Sequence, residues 1–184
     1  MRTGSAREMR HLIRHLTDGL RLPVPSDPDV LFAALIARVS EIKGRQVVLL
    51  QEEFPHGTAT GLWLELPEQD VIVVDQRAAP VHRLAILCHE IWHMIKGDCG
   101  HHTAGVRVAA RVLSDRADLR QAVGAVAART EFNERSEQEA ETFALRAVTQ
   151  LRVWLEGEAD GASTDRTRIA GRITASLGQR RSRV

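Results

Sequence analysis

An α+β fold is predicted for this chain, with a small three-stranded, mostly antiparallel sheet set among helices, and three observations predict it. Apolar side chains in residues 5–43 recur at spacings of three and four, the period of helices that bury one face. The period then changes, and residues 46–51, 58–66 and 71–75 form short apolar or β-branched runs separated by turn residues. Helical spacing returns at Pro80 and again at Asn133.

Each element has its own signal. Residues 5–20 read as a helix with Met9, Leu12, Ile13, Leu16 and Leu20 on one face and arginines on the other. Ser26-Asp27-Pro28 is a helix start, an N-cap candidate followed by proline in the first turn. That helix runs to Lys43, turns Leu31, Leu35, Val39 and Ile42 inward, and stops at Gly44. Pro55-His56-Gly57 and Pro67-Glu68-Gln69-Asp70 separate the three strands. Connections this short leave no room for a crossover helix, which makes the sheet largely antiparallel.

The informative helix spans 80–97. Pro80 suits a first helical position and Gly97 the left-handed residue just past the end, with Leu84, Leu87, Ile91 and Ile95 forming an apolar stripe between them. This helix carries His89-Glu90-Ile91-Trp92-His93, an HExxH pattern. Histidines four apart project about 40° from each other around a helix axis, so their imidazoles converge on one ion. A glutamate directly after the first reaches a water on that ion. The chemistry needs two neutral imidazoles as Zn2+ ligands, a carboxylate that is not a ligand as general base, and a rigid helix to hold all three. A satisfied polar cluster in the core is the plainer account of a buried His–Glu pair; placement on a capped, apolar helix favours the metal.

Beyond Gly97, residues 98–102 read as a loop containing His101 and His102, candidates to donate to a developing oxyanion, because the chain has no tyrosine for that task. Residues 103–129 have helical periodicity. The helix over 133–155 turns Ala140, Phe143, Ala144, Ala147, Val148, Leu151 and Trp154 inward, and Glu137 and Glu141 fall on the same line while Glu139 points away. Carboxylates on a core-facing line are costly unless paired or bound to a metal. The alternative is that this end of the helix faces water. Residues 157–164 are a small-residue linker, 167–177 a short helix, and 179–184 a basic tail with Arg180, Arg181 and Arg183.

The length fits one domain, residues 1–156, followed by the linker and tail. With 25 basic and 24 acidic residues no global field points to nucleic acid or membrane, so direct nucleic-acid binding is not expected. No apolar stretch approaches a bilayer span and the first 20 residues are charged throughout, which implies a cytoplasmic protein. Cys88 and Cys99 are too few for a disulfide scaffold, and Cys88 reads as a small buried side chain.

Leu87-Cys88-His89-Glu90-Ile91-Trp92-His93, followed later by Glu137-Gln138-Glu139-Ala140-Glu141-Thr142-Phe143-Ala144, resembles the gluzincin pattern of the ImmA/IrrE family of bacterial metallo-endopeptidases, over about residues 46–151. The resemblance implies a zincin-like fold, Glu137 as the third zinc ligand, and a cytoplasmic helix-turn-helix repressor or a toxin–antitoxin partner as protein substrate. The family position at Glu141 is usually Asn or Asp and supports a ligand histidine, and an apolar LLMP-like run usually stands where this chain has Leu145-Arg146-Ala147-Val148. An extended substrate would add to a sheet edge at the strand containing Gly61, Leu62 and Trp63. A reading from another class is a catalytically weak zinc-containing module that sequesters a regulator; the absent tyrosine and the altered run favour it.

Overall fold

The computed structural model describes residues 2–54, 60–97 and 134–157. Their elements are α1 (Arg2–Thr17), α2 (Pro28–Lys43), β1 (Val47–Glu52), β2 (Gly61–Glu65), β3 (Asp70–Asp75), α3 (Pro80–Lys96), α4 (Glu134–Leu151) and α5 (Val153–Glu156). The α+β class is as expected. The helix read over 103–129, His101 and His102, and the linker and basic tail beyond Gly157 lie outside the described residues.

Helix α1 buries Met9, Leu12, Ile13 and Leu16. It ends at Thr17 rather than Leu20, where the Thr17 hydroxyl donates to the Ile13 carbonyl at 3.0 Å and Gly19 follows with φ 83°. Asp27 caps α2 by accepting from the Asp29 N–H at 2.8 Å, and Gly44, at φ 68°, closes it in the left-handed region. Leu31, Phe32, Leu35 and Val39 are buried as the spacing requires. Ile42, expected inward, is 37% exposed, because the last turn of α2 stands at the rim of a surface groove floored by Leu12, Trp92 and Ile95.

The sheet corrects the topology expected from its short connections. Its order is β1-β3-β2: β2 and β3 pair antiparallel, but β1 and β3 pair parallel, from Val47 opposite Asp70 to Glu52 opposite Asp75. A parallel pair needs a connection of about a dozen residues or more, and here β2 itself supplies it by swinging to the outer edge of the sheet. Central placement of β3 explains its unbroken Val71-Ile72-Val73-Val74 run, buried on both faces. Val47, Trp63, Ile72 and Val74 join Leu84, Leu87 and Ile91 of α3 in one core. In that core the Trp63 indole donates to the buried Asp70 carboxylate at 3.1 Å.

Two contacts set the position of α3. Behind β3, Asp75 accepts from the Arg77 backbone N–H at 3.0 Å and from its guanidinium at 2.8 and 3.1 Å, a turn that delivers the chain to Pro80. Across the helix, the rings of Trp92 and Phe143 stack with centroids 4.9 Å apart, while Ala140, Ala144 and Ala147 of α4 are buried and small enough to let the helix approach closely. Helix α4 stops at Leu151, earlier than expected, and after Arg152 the short α5 carries the Trp154 carbonyl to the Ser26 N–H at 2.6 Å. No helix among the described residues is long and apolar enough to cross a membrane.

Hydrogen bonds from Arg77 hold the Asp75 carboxyl below its ordinary value of 3.8 in the folded state. A carboxyl depressed on folding stabilises above its unfolded pKa, and the contribution disappears as pH falls through the folded one. Asp75→Asn should therefore lower the urea midpoint at pH 7, and the gap to wild type should close as pH falls below about 4.

Candidate metal centre

One turn of α3 separates His89 from His93, whose rings lie 4.7 Å apart with Nε2 3.1 Å from Nε2. Glu137, in the first turn of α4, faces both: Oε2 is 3.4 Å from Nε2 of His89 and Oε1 is 3.4 Å from Nε2 of His93. Among the described residues this is the one group of three or more His, Cys, Asp or Glu side chains arranged to hold a metal ion.

The spacing tests that reading. Charge-assisted hydrogen bonds between imidazolium and carboxylate run at about 2.7–2.9 Å. Donors placed about 2.1 Å from a tetrahedral ion stand about 3.4 Å from one another. The His–Glu separations match a ligand cage, and two imidazole nitrogens with one carboxylate suit a divalent ion that keeps a further position open. Among the described residues the side chain of His93 is 7% exposed and those of His89 and Glu137 are 24% and 20%, so His93 is the most buried of the three.

Electrostatics divide the two carboxylates. The imidazoles of His89 and then His93, facing it at 3.4 Å, hold the Glu137 carboxyl well below the usual range, so it stays ionised. Glu90 is pushed upward, chiefly by burial, although His89, His93 and a hydrogen bond from the Trp63 backbone N–H pull the other way. His89 is lowered by burial, but Glu137 and the charges of Glu90 and Glu141 outweigh that, and its net shift is upward. Burial pushes the neighbouring Cys88 thiol up to about 12, which leaves it an inert core side chain as expected.

Glu90 sits against the sheet as well as beside the histidines. An ideal Cβ on Gly61 would lie 2.4 Å from Cγ2 of Ile86 and 2.8 Å from Oε1 of Glu90, so the close approach of β2 to α3 requires glycine at 61. Gly61, Leu62 and Trp63, expected to hold a substrate strand, do lie on an edge strand beside the site. Their contact with Glu90 was not foreseen, though a glycine inside a strand is the ordinary signal of close backbone approach. Glu141 is exposed and acts on His89 through its charge, and it leaves the buried Nδ1 of His93 without a hydrogen-bond partner among the described residues. Glu139, expected to point away, pairs with Arg135 at 3.4 Å.

Compared with protein-family models, with curated proteins and with solved structures, the chain matches none of them. The site is thus defined by its own geometry: two imidazoles and a carboxylate placed to bind a divalent ion, with a second, non-ligating carboxylate alongside.

Titration with a divalent metal should raise the melting temperature with a stoichiometry of one ion per chain, worth about 2.7 kcal/mol at a hundredfold excess over Kd. His93→Ala and Glu137→Ala should abolish that rise. Phe143→Ala, which removes no ligand, should cost about 3–5 kcal/mol in urea unfolding and also weaken metal binding measured by calorimetry, because α4 loses the ring that stacks on Trp92 of α3.

Proposed function

We propose that this chain is a zinc-dependent endopeptidase of zincin-like fold, similar to the ImmA/IrrE metallo-endopeptidases, acting on a cytoplasmic regulatory protein such as a helix-turn-helix repressor or a toxin–antitoxin partner. The observation that carries the reading is the pairing of the His89–His93–Glu137 group with the adjacent Glu90 beside β2, an edge strand among the described residues. A zinc ion bound by these three residues would supply Lewis acidity toward a peptide carbonyl and toward a water.

The chain's own residues do the rest. Glu90, one residue along the helix from a ligand, takes the proton of the attacking water and returns it to the leaving amine; burial raises its pKa toward the range in which a carboxylate can do both. Glu137 remains anionic in front of the imidazoles and orients them. The outer edge of β2 offers backbone N–H and C=O groups to an extended peptide.

The absence of tyrosine from the chain favours a second reading, a zinc-containing module that sequesters a regulator without cleaving it. Incubation with a co-encoded helix-turn-helix protein separates the two. Glu90→Gln should retain one zinc per chain by elemental analysis and lose at least a hundredfold in cleavage rate. Complex formation without cleavage by the wild type would instead identify the sequestering module, and full cleavage by Glu90→Gln would remove Glu90 from the role of base.

A further inference from the structure

The backbone of β2 has an alternation that bears on Glu90. Asp75 N–H donates to the Thr60 carbonyl at 2.8 Å and Leu66 N–H to the Gln69 carbonyl at 2.9 Å, so in this antiparallel register Leu62 and Leu64 also turn their polar backbone groups toward β3. The groups of Gly61, Trp63 and Glu65 therefore point outward, along the edge at which a strand could be added. The outward N–H of Trp63 is already engaged by the Glu90 carboxylate, which lies so close to Gly61 that a Cβ there would stand 2.8 Å from Oε1 and 3.2 Å from Cγ.

One N–H serves one acceptor well. We infer that the Trp63 amide is a shared donor that tethers Glu90 across the β2 edge until an extended peptide takes its place, so that strand addition and release of the base are a single event. The inference rests on the peptidase reading and deepens it: Gly61 and Trp63 act as positioning residues for Glu90, and the class of ligand is a peptide segment in β conformation. A preformed tether keeps the carboxylate beside the histidines in the free protein, and its displacement makes the base available only when substrate is aligned. Side chains facing this edge strand, rather than the tether itself, select the sequence of the peptide.

Amide hydrogen exchange followed by NMR on the full chain tests the tether without any substrate. The Trp63 amide should be protected in wild type, remain so in Glu90→Gln, whose carbonyl still accepts, and exchange at least tenfold faster in Glu90→Ala. Gly61→Ala combined with Ile86→Ala, which removes the 2.4 Å clash but not the one with Glu90, should likewise expose the Trp63 amide while leaving metal affinity within a few fold. For the competition, acetyl-(Val-Thr)3-amide serves as a probe. It should bind Glu90→Ala about tenfold more tightly than wild type, the scale of one hydrogen bond to a charged group. Equal Trp63 exchange in wild type and Glu90→Ala overturns the tether, and equal binding of the probe, or none to either, overturns the competition. Both readouts are independent of cleavage, so a failed peptidase assay and a failed tether are told apart.

Discussion

The site depends on one packing contact between helices far apart in sequence. Glu137 can face His89 and His93 only if the first turn of α4 lies against the C-terminal half of α3, and the Trp92–Phe143 stack fixes that approach. Burying an aromatic ring removes about 150–250 Å² from water, worth about 4–6 kcal/mol at 25 cal/mol per Å². Drawing a carboxylate partly out of water costs several kcal/mol. The two are of the same order, so the ring contact is large enough to hold Glu137 in a place its charge alone opposes. The alanines at 140, 144 and 147 complete the contact by keeping the helices close, where larger side chains would push Glu137 out of reach.

Most of this was legible in the sequence wherever a local signal coincided with the tertiary one. Pro80 and Gly97 bound α3 as expected, and the period of α4 put Ala140, Phe143, Ala144 and Ala147 inside, with Glu137 and Glu141 on the same line; only the family resemblance singled out Glu137. Signals failed where two elements compete for one surface. Ile42 has the spacing of a core residue, but nothing local says that the groove between α1 and α3 stays open beside it. Glu141 lies one turn beyond Glu137 on nearly the same phase, yet it is exposed, while Ala140, Phe143 and Ala144 around it are buried. Phase alone does not report how wide the buried face of a helix is.

The two carboxylates near the histidine pair illustrate how environment separates identical chemistry. Glu137 comes from a helix start, partly open to water and facing two imidazoles, and is held ionised. Glu90 comes from the middle of a buried helix, beneath Gly61 and beside Ile86, and burial raises it. In the proposed roles the difference is useful, since a carboxylate ligand has to be anionic at neutral pH whereas a base that also returns a proton gains from a raised pKa. The separation follows from helix position, since the residue next to His89 cannot leave α3 and the residue in the first turn of α4 cannot be fully covered by it.

The unexpected sheet order matters more to the proposed function than any strand boundary. Had the three strands run as a simple meander, β2 would be the central strand, and the outward groups of Gly61, Trp63 and Glu65 would be satisfied by β1. No free edge would then lie beside Glu90. Because β1 pairs instead with the far side of β3, β2, which approaches Glu90 at Gly61, is an edge strand of the sheet among the described residues. The parallel pairing that short connections argued against is therefore what places a sheet edge of the described residues and the His89–His93–Glu137 group beside the same glutamate.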